Sequence, residues 1–415
     1  MNPRERLIDR LIRYVKIGSS ANPDSKRYPS SDGQRILGNL LVEELREMGL
    51  REVEQDIHGL VWATVPGNAP SAPVVLLNAH LDTSPEAPGE NVSPQVIRKY
   101  SGGDLQLLNG DMITVQSTPE LEKLLGHDLV VTDGTTLLGG DDKAGVATIM
   151  EIAQRCLENP SSRRGDLRIL FTCDEEIGLG TKYFDLAKCG ASVGYTLDGG
   201  GSGNLDVETF SADMATIRFI GNNTHPSVGK GKMRNAIKAA SYFVSQLPQG
   251  SMSPETTSER EGFLHPFRLE GGVGQSTLQI LLRDFETRNL SYQAQLLDQL
   301  RDKTSSVFPG VDIEITIAQQ YRNMGDQLRD FPLAVDLAEQ AYRNLQIPCK
   351  RDIIRGGTDG ALMTAIGLPT PNLSVGQFNI HSTREFVSVD CMEDAIRHMI
   401  HLLSLWSEQR RESQD

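Results

Sequence analysis

Residues 74–80, VVLLNAH, form a near-continuous apolar run that ends on a histidine. A run of that kind marks a strand inside a parallel sheet, and parallel strands require crossover connections, usually helices, packed on the sheet faces. The chain is thereby directed towards an α/β architecture. Alternate residues of a strand share a face, so His80 and Asp82 leave the strand end together. A neutral imidazole is the commonest protein ligand for zinc, and a carboxylate beside it fixes its tautomer. A lone histidine is equally at home as a satisfied core residue. Its reading therefore depends on what the rest of the chain places nearby.

The first half alternates helix and strand patterns. A helix over 33–49 precedes a strand pair around 51–65 and then the strand ending at His80. The helix 144–159 leads into a strand over 166–176, and GYTLDGG supplies another. Such alternation predicts right-handed crossovers and a mixed, largely parallel sheet flanked by helices, with ligands bound beyond the carboxyl ends of its strands. From about 209 the pattern changes to strand, helix, two strands, a long helix and a strand. That βαββαβ order is ferredoxin-like. It predicts an inserted α+β domain over 209–320, between catalytic segments 1–208 and 321–415, and an exposed polar loop over 251–261.

Charge and cysteine usage narrow the class. A net charge of −14 on 415 residues argues against a nucleic-acid backbone or an anionic membrane as partner. The five cysteines are scattered, with no CxxC spacing, as in a reducing compartment. The N-terminal segment MNPRERLIDRLIRYVKI is an amphipathic helix pattern without the apolar stretch of a signal peptide. A cytoplasmic location is expected.

Four further segments carry candidate ligands. TLLGGDDKAGVA sets Asp141 and Asp142 before a helix, FTCDEEIG ends a strand with Asp174, Glu175 and Glu176, YTLDGGG ends another with Asp198, and FNIHSTREF presents His381. Singly, each has an ordinary reading as a helix cap or a solvated turn. Together, two histidines and three or four carboxylates at strand and loop ends are what a pair of zinc ions needs. Neighbouring Glu175 and Glu176 point in different directions, so one can bind metal while the other takes a proton from water. Spacing alone does not choose between Asp141 and Asp142.

HLDT, GGDDKAG, DEEIG, TLDGG and HSTREF, in that order, resemble the di-zinc superfamily of aminopeptidases, aminoacylases and glutamate carboxypeptidases. The longer segments HLDTSPEAPGENVSPQVI, GNNTHP, RDF, YRNM and IRGGTDGA are similar to its peptidase T family of tripeptide aminopeptidases. The resemblance implies two zinc ions per subunit. His80, Asp141 and Asp198 would hold one, and Asp141, Glu176 and His381 the other, with Asp141 bridging. It makes Asp82 the residue that orients His80, and Glu175 the general base. Asp142 becomes a support or a helix cap. It makes His225 the group that stabilises the oxyanion, often from a neighbouring subunit, which implies a homodimer. Arg283 and Arg355, with Asn323 near them, would grip the terminal carboxylate of a short peptide.

The expected activity is release of the N-terminal residue from tripeptides by a zinc-activated water. A carboxypeptidase or N-acyl amino acid deacylase on the same scaffold is the alternative. A non-catalytic ligand-binding relative is the third reading.

Overall fold

The computed structural model describes residues 1–410 and divides into two compact units. The first takes in Met1–Val207, Gln327–Asp352 and the chain from Thr358 onward. The second takes in Glu208–Asp326 and Ile353–Gly357. The inserted unit is thus longer than 209–320, because it includes the turn after its last strand and a short return of the chain. Residues 411–415, at the end of the expected segment 321–415, lie outside the described residues.

Eleven strands, nine of them wholly in the first unit, make one sheet among the described residues. Its centre runs Leu167–Thr172, Val75–His80, Val193–Gly200, Asn372–Phe378, and these four neighbours are all parallel. Antiparallel strands extend it, Val61–Val65 and Arg51–Gln55 on one side, Phe386–Ser388, Leu129–Val131 and Gln95–Ile97 on the other. The sheet is mixed, with its parallel strands together at the centre and antiparallel strands outside them. Every residue of Val75–His80 is buried, as its apolar run requires.

The helix Gly140–Glu158 packs on the central strands and beneath the helices Pro3–Val15 and Val389–Trp406. It is buried along most of its length, so small residues replace the usual polar face. A Cβ on Gly145 would lie 2.0 Å from the Leu197 carbonyl oxygen, so glycine is what lets helix and strand approach this closely. Glu151, fully buried on this helix, is matched by three guanidinium groups from Arg6, Arg10 and Arg155. Two of them lie on Pro3–Val15, which explains the charges threaded through that amphipathic segment.

In the second unit the strands Phe263–Gly271, Gln275–Asp284, Ser211–Ile220 and Asp312–Tyr321 lie side by side in that order, all antiparallel. With the helices Ala236–Ser245 and Thr287–Val307 this is the βαββαβ arrangement. Alternate residues Ala215, Ile217 and Phe219 meet Ala239, Phe243 and Leu297 in a separate core. Residues 251–261 form turns and bends. Among the described residues no helix is long and apolar enough to cross a membrane.

His398, buried on the helix Val389–Trp406, stacks on Tyr342 at 3.6 Å, and its Nε2 donates to the Ala338 carbonyl. Burial pulls its pKa down to about 4 from an ordinary 6.5. The unfolded imidazole takes up a proton near its ordinary value, whereas the folded one stays neutral until far lower pH. Its contribution is therefore constant above pH 6.5 and is lost as pH falls from 6.5 towards 4, by at most about 3 kcal/mol. Urea unfolding of the wild type and of His398→Phe across this window should show a shallower loss of stability in the variant.

Candidate active site

Because the four central strands are parallel, their carboxyl ends share one edge of the sheet. His80 is the last residue of its strand, Glu175 and Glu176 follow Thr172, Asp198 lies near the end of its strand, and His381 follows Phe378. Asp141 enters at the start of the helix Gly140–Glu158.

The side chains converge in two groups. Ligand atoms of His80, Asp141 and Asp198 all lie within 4.8 Å of one another, as do those of Asp141, Glu176 and His381. His80 Nε2 is 3.0 Å from Asp141 Oδ1 and 3.7 Å from Asp198 Oδ1. His381 Nε2 is 3.2 Å from Asp141 Oδ2 and 3.0 Å from Glu176 Oε2. Asp141 belongs to both groups, one oxygen towards each histidine. His381 sits in the left-handed region at φ 60°, an uncommon conformation for a non-glycine residue.

A second layer of acids is held by main-chain amides. Asp82 accepts from the N–H groups of Glu175 and Glu176, and its carboxylate lies 3.4 Å from His80 Nδ1. Asp142 accepts from His80 N, Gly145 N and Gln377 Nε2. Glu385 accepts from Leu138, Gly139 and Asp141. Asp141, Glu176 and Asp198 receive no such amide support among the described residues, and Glu176 Oε1 is buried without a partner. These three acids have histidines as their chief polar neighbours.

The electrostatics follow. Burial, reinforced by the charge of Asp141, pushes both Asp198 and Glu176 up to about 7. Burial would lower His381, but Asp141 and Glu176 outweigh it and raise the imidazole to about 11. His80 is raised in the same way by Asp141, Asp198 and Asp82, against burial. Burial also raises Glu175 well above its ordinary range, with Asp359, Asp198 and Glu176 adding to it against the pull of His80. The cluster draws in positive charge. Its set of two imidazoles and three carboxylates without amide support fits a pair of divalent cations.

The other candidates lie in the second unit. Arg283 is buried, donates to the carbonyls of Asp213 and Leu282, and lies over the Tyr321 ring. Arg355 donates to the carbonyls of Glu259 and Glu261 and to Thr257 Oγ1, against the rings of Phe210 and Phe263. Asn323 is fully engaged, accepting from Thr209 and Gly325 and donating to Glu208 and the Phe285 carbonyl. His225 is exposed and caps the turn Pro226–Val228 through Nδ1.

The chain aligns over residues 107–405 with the model of peptidase family M20/M25/M40. The peptidase T of Geobacillus thermodenitrificans is 41% identical to it, over 98% of this chain and 99% of that one. The chain belongs to this peptidase family. Among solved structures, a tripeptidase from Staphylococcus aureus has the same fold, with a TM-score of 0.77 at 22% identity over 98% of this chain and 99% of that one. A dinuclear metal binding peptidase of the M20 family from Bacillus subtilis has a TM-score of 0.64 at 14% identity, over 98% and 99%.

Within this M20/M25/M40 chain, three buried groups carry no marker in the sequence. Glu385 lies in HSTREF but reads there as one more charge in a polar run. Gln377 donates to the Gly140 carbonyl as well as to Asp142. Asp359, in the GGTDG turn, accepts from Thr172 Oγ1 and has its other oxygen buried without a partner. None has a period or spacing that would single it out.

Glu385→Ala would leave three buried N–H groups without an acceptor, at about 1–3 kcal/mol each. Urea unfolding should show a loss of at least about 3 kcal/mol, and Glu385→Gln, which keeps an acceptor oxygen, should lose less.

Proposed function

We propose that this chain is an aminopeptidase that holds two zinc ions and releases the N-terminal residue from tripeptides. The observation that carries the reading is the pair of metal-capable groups sharing Asp141. His80, Asp141 and Asp198 would hold one ion, and Asp141, Glu176 and His381 the other. When bound, the ions supply Lewis acidity, which eases deprotonation of water and polarises the scissile carbonyl.

The chain's own residues do the rest. Asp82 holds His80 Nδ1 with its main-chain carbonyl at 3.1 Å and its carboxylate at 3.4 Å, and the carboxylate fixes the turn bearing Glu175 and Glu176 through their amides. Glu175 takes the proton from the attacking water and returns it to the leaving amine. His225 offers an imidazole from an exposed turn, with Nδ1 occupied by Ser227, to stabilise the oxyanion. Arg283 and Arg355 hold the peptide's carboxylate. Asn323 fixes the chain just after Tyr321, the residue whose ring lies against Arg283. A homodimer, with His225 serving the partner's site, belongs to the same reading.

A cytoplasmic setting is supported by five free cysteines and the acidic balance. The names of the relatives, peptidase T and tripeptidase, favour tripeptides over the N-acylated substrates of a deacylase.

Two measurements test this reading. Glu175→Gln should keep both metals by elemental analysis while turnover falls by about 10²–10⁴. Substantial residual turnover would remove Glu175 from its role. In a peptide panel, free tripeptides should be cleaved from the amino end and their N-acetylated forms should resist. Faster cleavage of the acetylated peptides would make the enzyme a deacylase.

A further inference from the structure

The surroundings hold the two histidines of the cluster unequally. His80 ends a buried strand and its side chain is 2% exposed. His381 lies in the loop between Phe378 and Phe386, and its side chain is 31% exposed. An imidazole that gives one nitrogen to an ion takes its tautomer and ring orientation from what the other nitrogen meets. For His80 that group is Asp82. In His381, Nε2 faces Asp141 and Glu176, and Oε2 of Glu86 lies 3.3 Å from Nδ1. None of the roles assigned to the cluster falls on Glu86.

One loop thus brings a carboxylate near Nδ1 of each imidazole, since Asp82 and Glu86 both belong to HLDTSPE. The loop is anchored on either side of Glu86. Thr83 and Ser84 are buried, the Ala21 N–H donates to the Thr83 carbonyl, and the Leu137 N–H donates to that of Pro88. Pro85 and Pro88 fix φ on both flanks, and the Glu86 N–H donates to Ser84 Oγ. The Glu86 side chain itself is 69% exposed. An exposed pair adds little to folding stability, so this contact acts where the imidazole works, on its affinity for an ion.

We propose that Glu86 is a positioning residue, which holds His381 through Nδ1 and keeps Nε2 turned towards Asp141 and Glu176. It thereby sets the affinity of the Asp141–Glu176–His381 position and does not serve the position at His80. The inference rests on the two-ion reading of the cluster.

Elemental analysis of the zinc-loaded, full-length protein, equilibrated against a series of zinc buffers, tests it. The wild type should hold two ions per chain. Glu86→Gln should weaken one of them by about tenfold to a hundredfold and leave the other unchanged. Glu90→Gln, which neutralises another exposed carboxylate of the same loop, should change neither. His381→Ala should keep one ion, and adding Glu86→Gln to it should weaken that ion no further. Two unchanged ions in Glu86→Gln, an equal loss of both, or a further loss in the double variant would overturn the proposal while the two-ion reading stands. Fewer than two ions in the wild type would overturn both.

Discussion

Carboxylates that water scarcely reaches govern how the first unit is built. An isolated buried carboxylate costs several kcal/mol, so each must be matched or must capture positive charge. Asp82, Asp142 and Glu385 are matched by main-chain amides, and the donors include His80 N, Asp141 N and Glu176 N. The residues that aim side chains into the cluster therefore hold the acids behind it with their own backbones. Orientation and charge compensation come from the same bonds. Asp141, Glu176 and Asp198 are left to the histidines and to whatever cation arrives.

This arrangement depends on parallel strands. Four neighbours running the same way deliver His80, the Glu175–Glu176 turn, Asp198 and His381 to one edge, and the helix from Gly140 delivers Asp141. The helix must come close to do so, which Gly145 permits. An antiparallel neighbour among the four would move its residue to the opposite end of the sheet.

Much of this was legible in the sequence, because the strongest signals were local. The apolar run before His80 gave a buried strand, and the strand–helix alternation gave the class. The change of pattern near 209 marked the inserted unit, though not its extension to Asp326 or the return at 353–357, which depend on contacts between distant segments. The acids and histidines at strand ends were visible as residue types. Their partition into two groups around Asp141 is set by the order of strands in the sheet, which residue spacing does not state. Glu385 and Gln377 were hidden for a related reason. Each is polar in sequence and is matched only by the remote segment 138–142 that folds against it. Asn323 was visible in YRNM, but not that all its bonding capacity is taken within its own unit.

The distance along the chain between Asp198 and His381 has a consequence for how the protein is made. A ribosome releases His80, Asp141, Glu176 and Asp198 long before it releases His381, and the strand Asn372–Phe378 that borders Val193–Gly200 emerges just ahead of that histidine. Glu385, which holds the amides around Asp141, emerges later still. A growing chain thus carries an acid-rich, half-built cluster until the segment with His381 and Glu385 has emerged. Completion of the cluster waits on insertion of the strand Asn372–Phe378 beside Val193–Gly200.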